Sequence, residues 1–320
     1  MRLVFLGTTD FAAAILERLA QSGAHRPALV LTRPDRPSGR GRKLASPPVA
    51  EAARALGLAL EQPERVNDPQ TVELIDAARP DAVVVCAFGA LIKEPLLSSY
   101  ELLNVHPSLL PRWRGAAPIE RAIIAGDRET GVSILRLTAG LDSGPVCLAE
   151  SEPIAAQDTY GSLSARLRKL SAELLLRVLD LCDAGTPPAF VEQDEAGVTY
   201  AEKIEAGDRT LDPGRPAIEL DRVVRALHPH IGARVELADG TFLGVQAAVP
   251  LDELAPIEGS GSTEPAQGSQ GRRLGVVERD GRLLLQCTPG ALELRLVQPP
   301  GGRAMDGAAY LRGRGLPARL

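Results

Sequence analysis

The run PDAVVVCAF at residues 80–88 is apolar at every position from Ala82 to Phe88. A strand with one face in water alternates polar and apolar residues, so an unbroken run of this length marks a strand covered on both faces, as in a parallel α/β sheet. Its surroundings fit. RLVFLG at 2–7 is a second buried strand, followed by the helical FAAAILERLAQSG with Asp10 at its acidic start and a glycine stop. PALVLT at 27–32 repeats the strand signal, PPVAEAARALG carries proline in the first turn of a helix, and ELLNVH at 101–106 follows a short helical segment. Alternating strands and helices predict a doubly wound, Rossmann-like α/β domain.

From residue 130 the pattern changes. TGVSILRLTAGLDSGPVCLAE reads as two strands joined too closely for a crossover, hence antiparallel. An amphipathic helix at 161–185 closes this domain, which is expected to span 1–188, with an extended linker at 189–207. Residues 208–320 supply one helix (RPAIELDRVVRALHP) and about five short strands around two Asp-Gly turns, the pattern of a small OB-like β-barrel. PIEGSGSTEPAQGSQG at 256–271 is low in complexity and is expected to be a mobile loop.

Several classes are set aside by composition. No apolar run approaches the roughly 18 residues of a membrane span, and the N-terminus meets glycine and aspartate too soon for a signal peptide, so a cytoplasmic protein without a membrane partner is expected. Cys86, Cys147, Cys182 and Cys287 are far apart without metal-ligand spacing, and are expected to be buried free thiols, with no metal. The net charge of −5 opposes non-specific wrapping of nucleic acid.

The polar residues concentrate in LNVHPSLLPRWRGAAPIERA at 103–122. Asn104 and His106 are two apart at the carboxyl end of a strand, so they point to one side at the edge where open α/β sheets hold ligands. An amide and an imidazole are donors for a developing oxyanion, and Asp142 in the GLDSG turn is a carboxylate partner for the histidine. Asn–His pairs are also common structural features, so the residues alone leave both readings open. Ser108 is not in a GxSxG elbow and Cys147 has no evident base, so in an acyl transfer the nucleophile must come from a substrate.

Two basic regions stand out. Residues 33–43 carry Arg33, Arg36, Arg40, Arg42 and Lys43 against Asp35, a local charge of 5 − 1 = +4, in a loop without the Walker spacing. Residues 271–320 carry nine arginines against four acids, 9 − 4 = +5, with Tyr310 the one aromatic, which suits backbone contacts to folded RNA better than stacking of unpaired bases.

NVHPSLLPRWRGAAPIERAIIAGDRETGVSI, then LDSGPV, resembles the signature of the 10-formyltetrahydrofolate-dependent formyltransferases, and GTTDFAAAIL, PDRPSGRGRKL and TYAEKI place the resemblance in the branch that acts on aminoacylated initiator tRNA. The resemblance implies that Asn104, His106 and Asp142 are catalytic and that Ser108, Leu109, Leu110 and Pro111 bind the folate. It also implies that the loop with Arg36, Arg40, Arg42 and Lys43 approaches the tRNA acceptor stem and that the OB-like domain holds the tRNA. The implied reaction carries a formyl group from N10 of 10-formyltetrahydrofolate to the α-amine of methionyl initiator tRNA; separately, a monomer is expected. Glycinamide ribonucleotide, an amino-sugar nucleotide and water are the rival acceptors. Pro107 stands where glycine is common in tRNA-acting members, and LHPHIGARVEL lacks the usual tryptophans.

Overall fold

The structure, a computed structural model, describes residues 1–38, 43–251 and 275–316. Strands β1 (Leu3–Gly7) and β2 (Pro27–Leu31) flank helix α1 (Asp10–Gln21). Thr9 caps that helix, its hydroxyl accepting from the Ala12 amide at 3.4 Å, and Asp10 is the first helical residue. A hairpin of β3 (Arg36–Ser38) and β4 (Lys43–Ala45) leads to α2 (Pro48–Ala55), β5 (Leu60–Glu61) and α3 (Pro69–Ala78). Then come β6 (Ala82–Cys86), α4 (Leu96–Ser99), β7 (Leu102–His106), β8 (Arg114–Gly115), α5 (Pro118–Ala125), β9 (Glu129–Arg136), β10 (Val146–Pro153), α6 (Tyr160–Asp183) and β11 (Tyr200–Ala201).

Seven of these strands form one sheet in the order β10-β9-β7-β6-β1-β2-β5. The contacts among β5, β2, β1, β6 and β7 are parallel, whereas β9 runs antiparallel to both β7 and β10. The reason lies in the connections. Helices return the chain between the parallel strands, but only residues 137–145 separate β9 from β10. All five residues of β6 and of β7 are buried, as an apolar run in a covered sheet requires. One face of the sheet packs Val4, Leu6, Leu31, Val83 and Val85 against Ile75, Phe88 and Leu96.

The remaining elements are α7 (Ala217–Leu227), β12 (Ala233–Glu236), β13 (Phe242–Leu251), β14 (Val276–Arg279), β15 (Arg282–Gln286), β16 (Ala291–Gln298), β17 (Met305–Asp306) and α8 (Gly307–Arg314). The strands make a curled antiparallel half-barrel, in the order β12-β13-β16-β15-β14 with β17 on β16. Leu220, Val224 and Leu227 of α7 join Leu243, Leu285, Leu292 and Tyr310 in its core. The two Asp-Gly pairs act differently. Asp280 and Gly281 both take positive φ, +53° and +70°, the geometry of a tight type I′ turn, while Asp239 lies in a longer loop and accepts from the Thr241 amide at 3.0 Å. Helix α8, capped by Asp306 through the Ala308 amide at 2.9 Å, was not anticipated from the sequence.

The chain divides into two compact units, Met1–Ile119 with Arg128–Ile154 and Leu163–Glu202, and Glu120–Asp127 with Ala155–Ser162 and Lys203–Leu320. The stretch after α6 is mostly extended, with one 3-10 turn at Glu195–Gly197, and Val191 bridges Val146 while β11 pairs in parallel with β8, both within the first unit. The low-complexity stretch 256–271 lies outside the described residues. No helix among the described residues is long and apolar enough to cross a membrane.

All four cysteines are free, but only Cys86 and Cys287 are buried; Cys147 and Cys182 are half-buried, which corrects the expectation for those two. Burial pushes the Cys86 thiol up to about 12, and the Cys147 and Cys287 thiols up to about 11. The thiolate is the reactive form, so native protein at pH 8 is expected to alkylate slowly everywhere, with Cys86 last. Timed iodoacetamide labelling read by mass spectrometry checks this order.

Candidate active site

Asn104 and His106 occupy the last turn of the pleat in β7, paired with Leu135 and Ser133 of β9, and both are buried, 8% and 5% exposed. The connection from β9 to β10 brings Asp142 onto them. Asn104 Nδ2 donates to Asp142 Oδ1 at 3.1 Å, the Gly115 amide donates to Oδ2 at 2.8 Å, and His106 Nδ1 stands 3.5 Å from Oδ2. The last distance is an ion-pair separation, longer than a good hydrogen bond. On the other side of the ring, His106 Nε2 lies 2.8 Å from the Trp113 carbonyl and donates to it. An acceptor therefore faces each ring nitrogen, and the imidazole plane is held between them. The three residues singled out in the sequence meet at one sheet edge.

Asp142 takes φ = +45° and Trp113 φ = +64°. A left-handed conformation costs a non-glycine residue of order 1–3 kcal/mol, and persists where the surroundings over-determine it. For Trp113 the amide donates to Thr199 Oγ1 at 2.9 Å, and Arg112 lies over the indole at 4.4 Å. Gly115 must be glycine on steric grounds, because a Cβ there would meet the Ala201 carbonyl oxygen at 2.8 Å where β8 pairs with β11.

The segment 108–111 is braced from below. Ser108 is fully buried, and its hydroxyl donates to the Arg112 carbonyl at 2.7 Å. Ser133 donates to the Ser108 carbonyl at 2.8 Å and accepts from the Leu110 amide at 3.1 Å. Leu109, Leu110 and Pro111 are half-buried and present apolar surface, so Ser108 shapes the segment while the next three form its accessible side. Ser108, with its hydroxyl bonded inward, is no nucleophile, and the raised Cys147 thiol is none either.

Sequence reasoning missed Arg114, Ser133 and Gln193. Arg114 is 3% exposed, with Nε donating to Gln193 Oε1 and Nη2 to Glu195 Oε1, each at 2.9 Å. Gln193 Nε2 donates to the carbonyls of Asp142 and Gly144, each at 2.7 Å. The second arginine of PRWRG was a visible signal; Gln193, in a stretch read as linker, had none.

At the described ends of the basic loop, β3 and β4 pair antiparallel. Asp35, its one acid, accepts from Gln62 at 2.7 Å and Ser46 at 2.9 Å, and these bonds hold its carboxyl below the usual range. Asp35 thus braces the hairpin base. Arg36 is exposed, with Glu64 at 3.9 Å; Arg40 and Arg42 lie outside the described residues, as does the side chain of Lys43. In the second unit Arg282 and Arg295 both hold the buried Glu293, Arg295 at 3.1 Å, so two of the nine arginines are engaged within the sheet. Arg272, Arg273 and Arg319 lie outside the described residues, among which no cluster of three or more His, Cys, Asp or Glu could hold a metal.

Residues 1–179 match the formyl transferase family model, and residues 203–315 match the model of the formyl transferase C-terminal domain. The chain belongs to the formyl transferase family. This formyltransferase is 42% identical over 317 residues to the methionyl-tRNA formyltransferase of Halorhodospira halophila, covering 98% of this chain and 97% of the relative. It is 43% identical over 321 residues to that of Xanthomonas campestris, covering 99% of each. Among solved structures it resembles HypX from Aquifex aeolicus in complex with tetrahydrofolic acid, with TM-score 0.63 and 20% identity over 100% of this chain and 48% of that one. It also resembles an N-formyltransferase from Helicobacter canadensis in complex with folinic acid and dTDP-3-aminofucose, with TM-score 0.62 and 14% identity over 91% of this chain and 98% of the other. At those identities the structures speak to the shared fold.

Ser133→Ala removes the acceptor of the part-buried Leu110 amide, an expected cost of about 1 kcal/mol. Urea unfolding of the variant checks it, and an unchanged midpoint would show the 108–111 segment to be held without Ser133.

Proposed function

We propose that the protein transfers the formyl group of 10-formyltetrahydrofolate to the α-amine of methionyl initiator tRNA. The observation that carries acyl transfer is the meeting of amide, imidazole and carboxylate at the carboxyl edge of β7 without a side-chain nucleophile beside them. The choice of acceptor is supported by relatives of that name at 42–43% identity over nearly the whole chain.

The amine must arrive uncharged. Its nitrogen attacks the formyl carbon, the carbonyl oxygen gains charge, and the bond from that carbon to N10 breaks as N10 takes a proton. In sum the formyl group moves one way and one proton the other. Asn104 uses one N–H on Asp142, and its second N–H is the donor for the developing oxyanion, aided by His106. Asp142, near His106 Nδ1, balances the imidazolium and takes up the amine proton, directly or through water. The proton on Nε2, resting on the Trp113 carbonyl, is the one His106 passes to N10. Leu109, Leu110 and Pro111 offer apolar surface to the folate, and Ser108 and Ser133 hold that surface in place, so orientation supplies part of the acceleration. Arg36, Arg40, Arg42 and Lys43 contact tRNA phosphates from the hairpin, and the half-barrel after residue 208 holds the rest of the tRNA.

The test is formylation of methionyl initiator tRNA with 10-formyltetrahydrofolate, with glycinamide ribonucleotide and water as competing acceptors. Folate turnover without formylmethionine would sink the assignment. His106→Ala and Asp142→Ala are each expected to lower kcat at least about a hundredfold with tRNA affinity nearly kept. Near-normal turnover in both would remove them from the mechanism. Replacing Arg40 and Arg42 together by alanine should reduce the slope of log affinity for tRNA against log salt by about one to two units. An unchanged slope would mean that Arg40 and Arg42 do not touch phosphate.

A further inference from the structure

Gln193 lies outside the residues assigned to chemistry, folate or tRNA, yet every hydrogen-bonding group of its amide is engaged. A primary amide has two N–H donors and one carbonyl. Here both donors go to the turn that carries Asp142, to the Asp142 and Gly144 carbonyls at 2.7 Å each, and the carbonyl accepts from buried Arg114 at 2.9 Å. Arg114 is itself oriented by Glu195 at 2.9 Å. The Arg114 bond decides which way the amide faces, because a flipped amide would set its oxygen against two carbonyls and its N–H against a guanidinium.

The turn has little freedom of its own. Asp142 sits at φ = +45°, and Gly144 lies so close to β9 that an added Cβ would meet the Arg136 carbonyl oxygen at 1.9 Å. Clamping the carbonyl of Asp142 itself fixes the backbone from which its carboxylate projects. That carboxylate must stay 3.5 Å from His106 Nδ1 while accepting from Asn104 and Gly115. We propose that Gln193, oriented by Arg114, is a positioning residue that sets the Asp142 carboxylate against His106. The inference rests on the role given to Asp142 above.

The experiment compares the full-length wild type with Gln193→Ala, Gln193→Glu, Asp142→Asn and the double variant Asp142→Asn/Gln193→Ala in formylation of methionyl initiator tRNA. Gln193→Ala should lower kcat by about 10- to 100-fold, since a small displacement of a reacting group has effects of that size. KM for both substrates should stay within about twofold, because Gln193 acts through the Asp142 turn. Gln193→Glu keeps the volume and the Arg114 contact but cannot donate to two carbonyls, so it should be at least as slow, and it carries the comparison if the alanine variant does not fold. In the Asp142→Asn background the Gln193 change should cost no more than about twofold, since a residue acting through Asp142 loses its effect when that carboxylate is gone. A wild-type kcat in either Gln193 variant, or losses that multiply in full in the double variant, would overturn the inference while leaving the role of Asp142 intact. A wild-type rate for Asp142→Asn, or no formylmethionine from the wild type, would overturn the reading of the site and the inference with it.

Discussion

The Asp142 carboxylate accepts from Asn104 through one oxygen and from the Gly115 amide through the other, with the His106 ring beside the second. Three chain segments are joined there: the end of β7, the short strand β8, and the connection from β9 to β10. A charge this enclosed is stable only with donors on both oxygens. Each surrounding feature serves that need. Trp113 in a left-handed conformation points its carbonyl at His106, Gly115 lets β8 approach β11, and Asp142 itself takes positive φ.

The same economy is visible beneath the 108–111 segment. Ser133 on β9 bonds Ser108 and Leu110 at once, so the strand that pairs with the reacting edge also holds the apolar ledge beside it. Register couples the two. His106 is opposite Ser133, so a slip of β9 by one residue would turn Ser133 to the face away from His106.

Charge in this protein has to be located before it can be interpreted. The +4 of the basic loop already counts Asp35, whose carboxyl is tied to the neutral Gln62 and Ser46, while Arg36 has Glu64 at 3.9 Å. In the half-barrel, Glu293 of β16 is shared by Arg282 of the neighbouring β15 and by Arg295 two residues along its own strand. A count of arginines along the chain overstates how many are open to a partner, because the carboxylates that hold some of them in the fold are invisible to it.

The sequence by itself determined the layers: buried runs at 2–7, 27–32 and 82–86 became adjacent parallel strands, and the short link between β9 and β10 required them to run antiparallel. It also put Asn104, His106 and Asp142 forward, because alternation along a strand and a glycine-flanked turn are local properties. What Gln193 and Arg114 bond to was decided by the tertiary structure alone. Their bonds span 51 and 79 residues of chain, and nothing in the periodicity or turn chemistry of an extended stretch says which distant carbonyl its amide will meet. Local sequence sets which groups can reach an edge; only the packed fold decides which of them close around one charge.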